Sequence, residues 1–191
     1  ITSQNQIAAL LVQYDPINGD VEKNANKVES LIKANPNGFN LTVLPFNSFL
    51  GKIALDKNNI AQYAEPLDGK SATLASNLAS TYKTSLLFSM PEVKEGKYYE
   101  TAVLFDASGK QVGVYRKSHL NDREQNWATP GNDLPVFASN DLGRVAVILN
   151  DEVRIPELAE VYALNRADLI LIPTSYDGKT YGGEVNIPKG L

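Results

Sequence analysis

Apolar residues along this chain gather in short, nearly continuous runs: Ile7 to Tyr14 (IAALLVQY), Leu41 to Pro45 (LTVLP), Ser85 to Ser89 (SLLFS), Val145 to Leu149 (VAVIL) and Leu169 to Pro173 (LILIP). Runs of this length suit strands buried on both faces. Between the first two, Val21, Ala25, Val28, Leu31 and Ile32 recur at helical spacing. Asp20 stands ahead of them as an N-cap and Asn35-Pro36-Asn37-Gly38 stops them, which predicts a helix from Val21 to about Ala34. Leu74, Leu78 and Tyr82 mark a second helix from about Lys70 to Tyr82. Leu158, Val161 and Tyr162 mark a third, from Pro156 in its first turn to about Asn165. Strand, helix, strand in this order predicts parallel strands with right-handed crossovers. In the middle, Lys94-Glu95-Gly96-Lys97 turns the chain into a returning strand, Tyr98 to Phe105. Asp106 to Lys110 turns it again into Val112 to Arg116. Residues 46–68 form a looser stretch, 118–135 are rich in proline and polar residues, and the tail Thr174 to Leu191 has no closing element. The pattern as a whole is mixed α/β.

Composition narrows the chemistry. The 191 residues, 43% hydrophobic and 21% charged, are expected to form one domain over 1–191 with a sizeable core. The net charge is −4 and the longest basic cluster is Arg116-Lys117, so there is no basic stripe for nucleic acid. The absence of cysteine excludes disulfides, thiolate metal sites and a cysteine nucleophile, and the single His119 cannot build a multi-histidine metal site. No apolar run is long enough to span a bilayer. The start, Ile1-Thr2-Ser3-Gln4, has no initiator Met and no charged n-region, as in a processed or excised chain. A cytoplasmic location is expected, with export after signal cleavage as the alternative.

Several segments, taken in order, resemble the nitrilase (carbon–nitrogen hydrolase) superfamily. The turn Asn18-Gly19-Asp20-Val21-Glu22-Lys23-Asn24 between the first strand and helix is similar to the opening of many members. Leu41-Thr42-Val43-Leu44-Pro45-Phe46 resembles LVVLPE, and Tyr115-Arg116-Lys117-Ser118-His119-Leu120 resembles YRKxHL. Glu124 to Gly131 (EQNWATPG) is similar to the E…TPG stretch. Val147 to Glu157 (VILNDEVRIPE) resembles xxICYDxRFPE, and Ala167 to Ser175 (ADLILIPTS) resembles GADLILxPS. Together they cover nearly the whole chain.

The resemblance implies an α-β-β-α sandwich with its C-terminal part missing, because no RAxEN-type helix or closing strands follow. It implies a glutamate as general base, a lysine that stabilises the tetrahedral oxyanion, and a cysteine that attacks an amide or nitrile carbon. It implies no cofactor and no metal. The lysine falls on Lys117 and the supporting glutamate on Glu124. The general-base position falls on Phe46. The nucleophile position falls on Asn150, with Arg154 and Pro156-Glu157 setting the register; a one-residue shift gives Leu149 or Asp151, and none of the three is a thiol.

These assignments describe a pocket of Phe46, Asn150, Asp151 and Glu152 around retained Lys117 and Glu124. A buried Lys117 requires a partner, for which Glu124 and Glu152 are the candidates. Asp151-Glu152 is a carboxylate pair suited to acid–base chemistry; alternatively Glu152 holds the family's acidic position and Asp151 merely flanks it. Tyr98-Tyr99, Tyr176 and Tyr181 read as strand or interface aromatics. The expected function is a catalytically inactive binding, assembly or regulatory domain. The alternatives are an amide C–N hydrolase with a non-cysteine mechanism, using Lys117, Asp151 and Glu152, and a structural module of a larger enzyme. An incomplete sandwich exposes apolar sheet, so a homo-oligomer or companion segment is expected. The retained positive charge suggests a small carbonyl or carboxylate ligand.

Overall fold

A computed structural model of the chain describes residues 6–36 and 38–175; Asn37 and the tail with Tyr176 and Tyr181 lie outside the described residues. Among the described residues, eight strands form two sheets. The first is ordered β1-β2-β3-β4-β5: Ala9–Leu11, Leu41–Val43, Ser85–Lys94, Lys97–Phe105 and Gln111–Arg116. The second is ordered β6-β7-β8: Phe137–Ser139, Gly143–Val147 and Leu169–Leu171. Helices α1 (Val21–Lys33), α3 (Lys70–Tyr82) and α4 (Pro156–Leu164) are crossovers, and α2 is a single turn, Ile60–Tyr63. β1, β2 and β3 pair in parallel through α1 and α3, and β7 pairs in parallel with β8 through α4. β3, β4 and β5 form the antiparallel meander.

Local chemistry sets the ends of these elements. The Asp20 side chain accepts from the Lys23 amide at 3.1 Å and caps α1, while Pro156 opens α4 where no amide hydrogen is needed. α3 ends on Lys83 in the left-handed region, at φ 53°.

The layers are helix, sheet, sheet, helix. Ala25, Val28 and Ile32 of α1 and Ala75, Leu78 and Ala79 of α3 pack on Leu86, Phe88 and Val103. The opposite faces of these strands point into the gap between the sheets, where Leu41, Val43, Leu87, Ala102, Leu104 and Tyr115 meet Phe137, Val145, Val147, Leu149 and Leu171. Outside the second sheet, Leu158 and Tyr162 of α4 cover Ala146 and Ile148.

The elements depart from the sequence pattern in three places. Strand β6 falls within three residues of no clear alternation. β3 continues through Pro91 to Lys94, because Glu65 lies along its other side and exchanges backbone hydrogen bonds with Pro91 O (3.1 Å) and Val93 N (3.0 Å). β1 is a three-residue edge rather than the full run from Ile7 to Tyr14. The second sheet reaches from β6 over β5 to the end of β8 beside β2, where the Phe46 amide bonds Thr174 O at 3.3 Å. β1 is left uncovered, so Leu11, paired with the buried Val43, is 72% exposed.

At the meander's end, alternation sends neighbouring side chains to opposite faces. Arg116 points outward, where its guanidinium donates to both Glu92 oxygens at 2.7 and 2.6 Å and lies 5.2 Å from the Tyr99 ring centre. Lys117 points inward.

Gly113 of β5 lies against Phe137 of the second sheet. A Cβ there meets the Phe137 ring at 2.2 Å. Gly113→Ala is therefore expected to cost about 1–3 kcal/mol by overpacking, read as a lower urea midpoint at unchanged slope.

Candidate active site

The inter-sheet layer is apolar along most of its length and turns polar at one end. On β4 the inward series Leu104, Ala102 ends in Glu100; on β5, Tyr115 is followed by Lys117, whose amide bonds Glu100 O at 2.8 Å. The second sheet delivers Asp151 and Glu152 on a 3₁₀ turn, Asn150–Arg154, directly after β7. A second 3₁₀ turn, Glu124–Asn126, is nucleated by the Asn121 side chain, which accepts from Arg123 N and Glu124 N at 3.0 Å each. The segment then returns to the meander through Gly131 N, bonded to Lys117 O at 2.9 Å. Only glycine permits this approach, because a Cβ on residue 131 lies 2.2 Å from Arg116 O.

Lys117 has no exposed side-chain surface. Its Nζ donates to Glu124 Oε1 and Oε2 at 2.8 and 2.6 Å and to Asp151 Oδ1. Three carboxylate oxygens from two residues thus lie within hydrogen-bond distance of the ammonium. Burial opposes the lysine's charge, but the hydrogen bonds from Asp151 and Glu124 outweigh it and hold the amine above its usual value. Burial pushes the Glu124 carboxyl up by more than the lysine pulls it down. Asp151 is the outlet of the cluster to solvent, with 26% of its side chain exposed.

Glu100 and Asn47 complete the cluster, and sequence reasoning did not find them. Glu100 is 3% exposed, and both its oxygens accept from Asn47 Nδ2, at 3.1 and 3.0 Å. Asn47 has φ 48° and its amide is held by Ser89 Oγ at 2.8 Å. Burial, reinforced by the charge of Glu124, pushes Glu100 up to about 8. The available signal was Glu100 itself, a lone acid in phase with Ala102 and Leu104 on an otherwise apolar strand.

The partners of Lys117 differ from the expectation at one residue. Glu124 is a partner, but Glu152 is not. The fully buried Glu152 accepts from Tyr115 OH at 2.8 Å and from the amides of Leu149, Ser118 and His119 at 3.0, 3.1 and 3.0 Å. It ties the loop after β5 to the turn after β7, and Asp151, more than a flanking residue, takes the lysine. The His119 ring is half exposed, 3.7 Å from Glu152.

Phe46 and Asn150 both border the segment after β8. The Phe46 ring packs on the inter-sheet core. Asn150 adopts φ 53°, a left-handed conformation that asparagine tolerates; its amide bonds Pro173 O at 3.0 Å and its Oδ1 accepts from Ser175 N at 3.1 Å. Each position lies one residue from the cluster, through Asn47 and Asp151. A cleft of about 730 Å³ lies along the β1 edge, lined by Leu11, Tyr14, Val43, Phe46, Ser48 and Thr174 among others. Lys117, Glu124 and Asp151 do not line it. We take the ion cluster as the candidate site, because the charged groups converge there.

This fold matches known proteins. Residues 8–185 match the carbon-nitrogen hydrolase family, and the chain belongs to that family. It is 35% identical over 164 residues to a hydrolase of Schizosaccharomyces pombe, covering 78% of this chain and 49% of that protein. It is 31% identical over 185 residues to the omega-amidase NIT2-B of Xenopus laevis, covering 89% and 64%. The crystal structure of Saccharomyces cerevisiae Nit3, a member of branch 10 of the nitrilase superfamily, superposes with a TM-score of 0.80 at 24% identity, over 91% of this chain and 66% of Nit3. That likeness shows the fold. The chain spans about half to two-thirds of the length of the curated relatives it matches.

The Glu100 value has a sign that an experiment reads. Its folded value, about 8, lies above the ordinary 4.5, so the native state keeps a proton that the unfolded chain releases. Stability falls as pH rises from about 4.5 to about 8 and stays low above that. Glu100→Gln is expected to flatten this fall, measured as urea unfolding free energy against pH.

Proposed function

We propose that the chain is a non-catalytic member of an amide-hydrolysing family, a domain that binds at the old catalytic position without cutting. The observation that carries this reading is the spent lysine. An oxyanion-stabilising ammonium needs a free N–H aimed at the developing charge, and Lys117 Nζ is already held by Glu124 and Asp151. Two further features support it. Phe46 stands at the general-base position and accepts no proton. Asn150 stands at the nucleophile position, in a chain without cysteine, and a carboxamide is a very poor nucleophile. An aromatic ring in place of a buried carboxylate also removes a desolvated charge.

A second reading, amide hydrolysis by another mechanism, draws on Asp151, a partly exposed carboxylate held on Lys117. That contact favours the first reading, since the Asp151 carboxylate is already engaged by the ammonium. Glu152, committed to four other groups, is not available for the role.

We further read residues 1–191 as one domain that works within an assembly. The apolar β1 edge around Leu11 supports this.

Incubation with omega-amides and with aliphatic nitriles is expected to release no ammonia above the uncatalysed rate. Lys117→Ala is expected to lose about 3–5 kcal/mol of stability, because it strands the buried Glu124 carboxylate and the partly buried Asp151. Turnover by the unaltered chain that Lys117→Ala abolishes, with the variant still folded, would sink the non-catalytic reading.

A further inference from the structure

The polar end of the inter-sheet layer has too many acceptors for its donors. Lys117 is the one cation there among the described residues, facing Glu100, Glu124 and Asp151 from three different elements. Its hydrogen bonds go to Glu124 and Asp151. Glu100 receives only the Asn47 amide. The other end of that amide, Asn47 Oδ1, is buried and has no hydrogen-bond partner among the described residues, and neither does the adjacent Ser48 Oγ. Asn47 is 7% exposed and Ser48 1%. An unpaired acceptor buried beside a carboxylic group costs free energy until a donor arrives.

The missing component is therefore a compact group rich in N–H and positive in charge. A carboxylate ligand does not serve, since it adds negative charge to a cluster already short of positive charge. A metal ion is not served either, since among the described residues no three Asp, Glu or His side chains are grouped to hold one. We propose that Asn47 and Glu100, with Asp151 as the outlet, form a binding site for a small ammonium cation, either ammonium itself or a primary alkylammonium. This rests on the reading of the site as one that binds without cutting.

The chemistry of the site follows directly. Asn47 Oδ1 and a Glu100 oxygen accept two N–H bonds from the cation, and the added charge offsets the carboxylates. Proton and cation compete for Glu100, whose other facing groups are Lys117, Glu124 and Asp151. Only the ionised carboxyl binds, and with a value of about 8 its ionised share grows about tenfold between roughly pH 7 and pH 9. The apparent affinity grows with it.

Thermal melts of the chain at matched ionic strength in sodium, tetramethylammonium, ammonium and methylammonium chloride decide the matter. Tetramethylammonium carries the charge without an N–H. Methylammonium stays protonated, like a lysine, at both pH values. The expected result is a saturable rise in Tm with ammonium and methylammonium alone, at about tenfold lower methylammonium concentration near pH 9 than near pH 7. Asn47→Gly, whose backbone suits a positive φ, and Glu100→Gln are expected to lose the response. An identical response to all four salts overturns the proposal, as does a full methylammonium response in folded Asn47→Gly. If a variant does not fold, the four-salt, two-pH comparison on the unaltered chain decides alone. Ammonia release from an amide would remove the non-catalytic reading without touching this titration. Failure of the titration would remove the ammonium site and leave that reading standing.

Discussion

A lysine ammonium with no exposed surface sits in the gap between two β-sheets, and the surrounding groups must compensate it there. Taking an ammonium out of water costs several kcal/mol, and opposite charge repays this only with close geometry. Lys117 has that geometry from Glu124 and Asp151. The two carboxylates come from 3₁₀ turns nearly thirty residues apart in the chain, so the charge balance of one lysine fixes where both turns dock. Glu152 works beside them without touching the ammonium. It gathers the backbone amides of the loop after β5 and of the turn after β7, and so holds the two sheets in relative position at this end.

Compensation here is generous enough to leave a surplus. Three carboxylic groups against one ammonium cannot all stay ionised in a poorly solvated gap, and Glu100, the deepest, is the one that keeps its proton near neutrality. Proton storage by Glu100 and the unused acceptor of Asn47 express the same shortage of positive charge. In this member of the carbon-nitrogen hydrolase family, Lys117 is buried and engaged by Glu124 and Asp151.

The large features of this architecture were legible in the sequence because they rest on periodicity. Continuous apolar runs became parallel strands covered on both faces, and the spacing of Val21, Ala25, Val28 and Ile32 became the buried face of α1. The Lys117–Glu124 pairing followed from the family motifs. What the sequence did not disclose depends on register between distant segments. Asn47 meets Glu100 across 53 residues, and while the phase of β4 marks that glutamate as inward, nothing local names its partner. Asp151 and Glu152 differ by one position, yet the 3₁₀ turn sends one to the lysine and the other to Tyr115. Strand β6 was missed because three residues offer no alternation to read, and β3 outran its apolar run because Glu65 supplied partners beyond it.

The adjacent cations Arg116 and Lys117 point to opposite faces of β5, each into its own acidic partners. A slip of one residue in the β4–β5 pairing would carry the broad guanidinium into the closed inner cluster and leave the lysine on the outer face before Glu92 and Tyr99. Both substitutions are poor, since the planar fork and the compact ammonium do not exchange geometries. The dipeptide thus works as a proofreading element for assembly of the meander: only one alignment of the hairpin satisfies both cations at once.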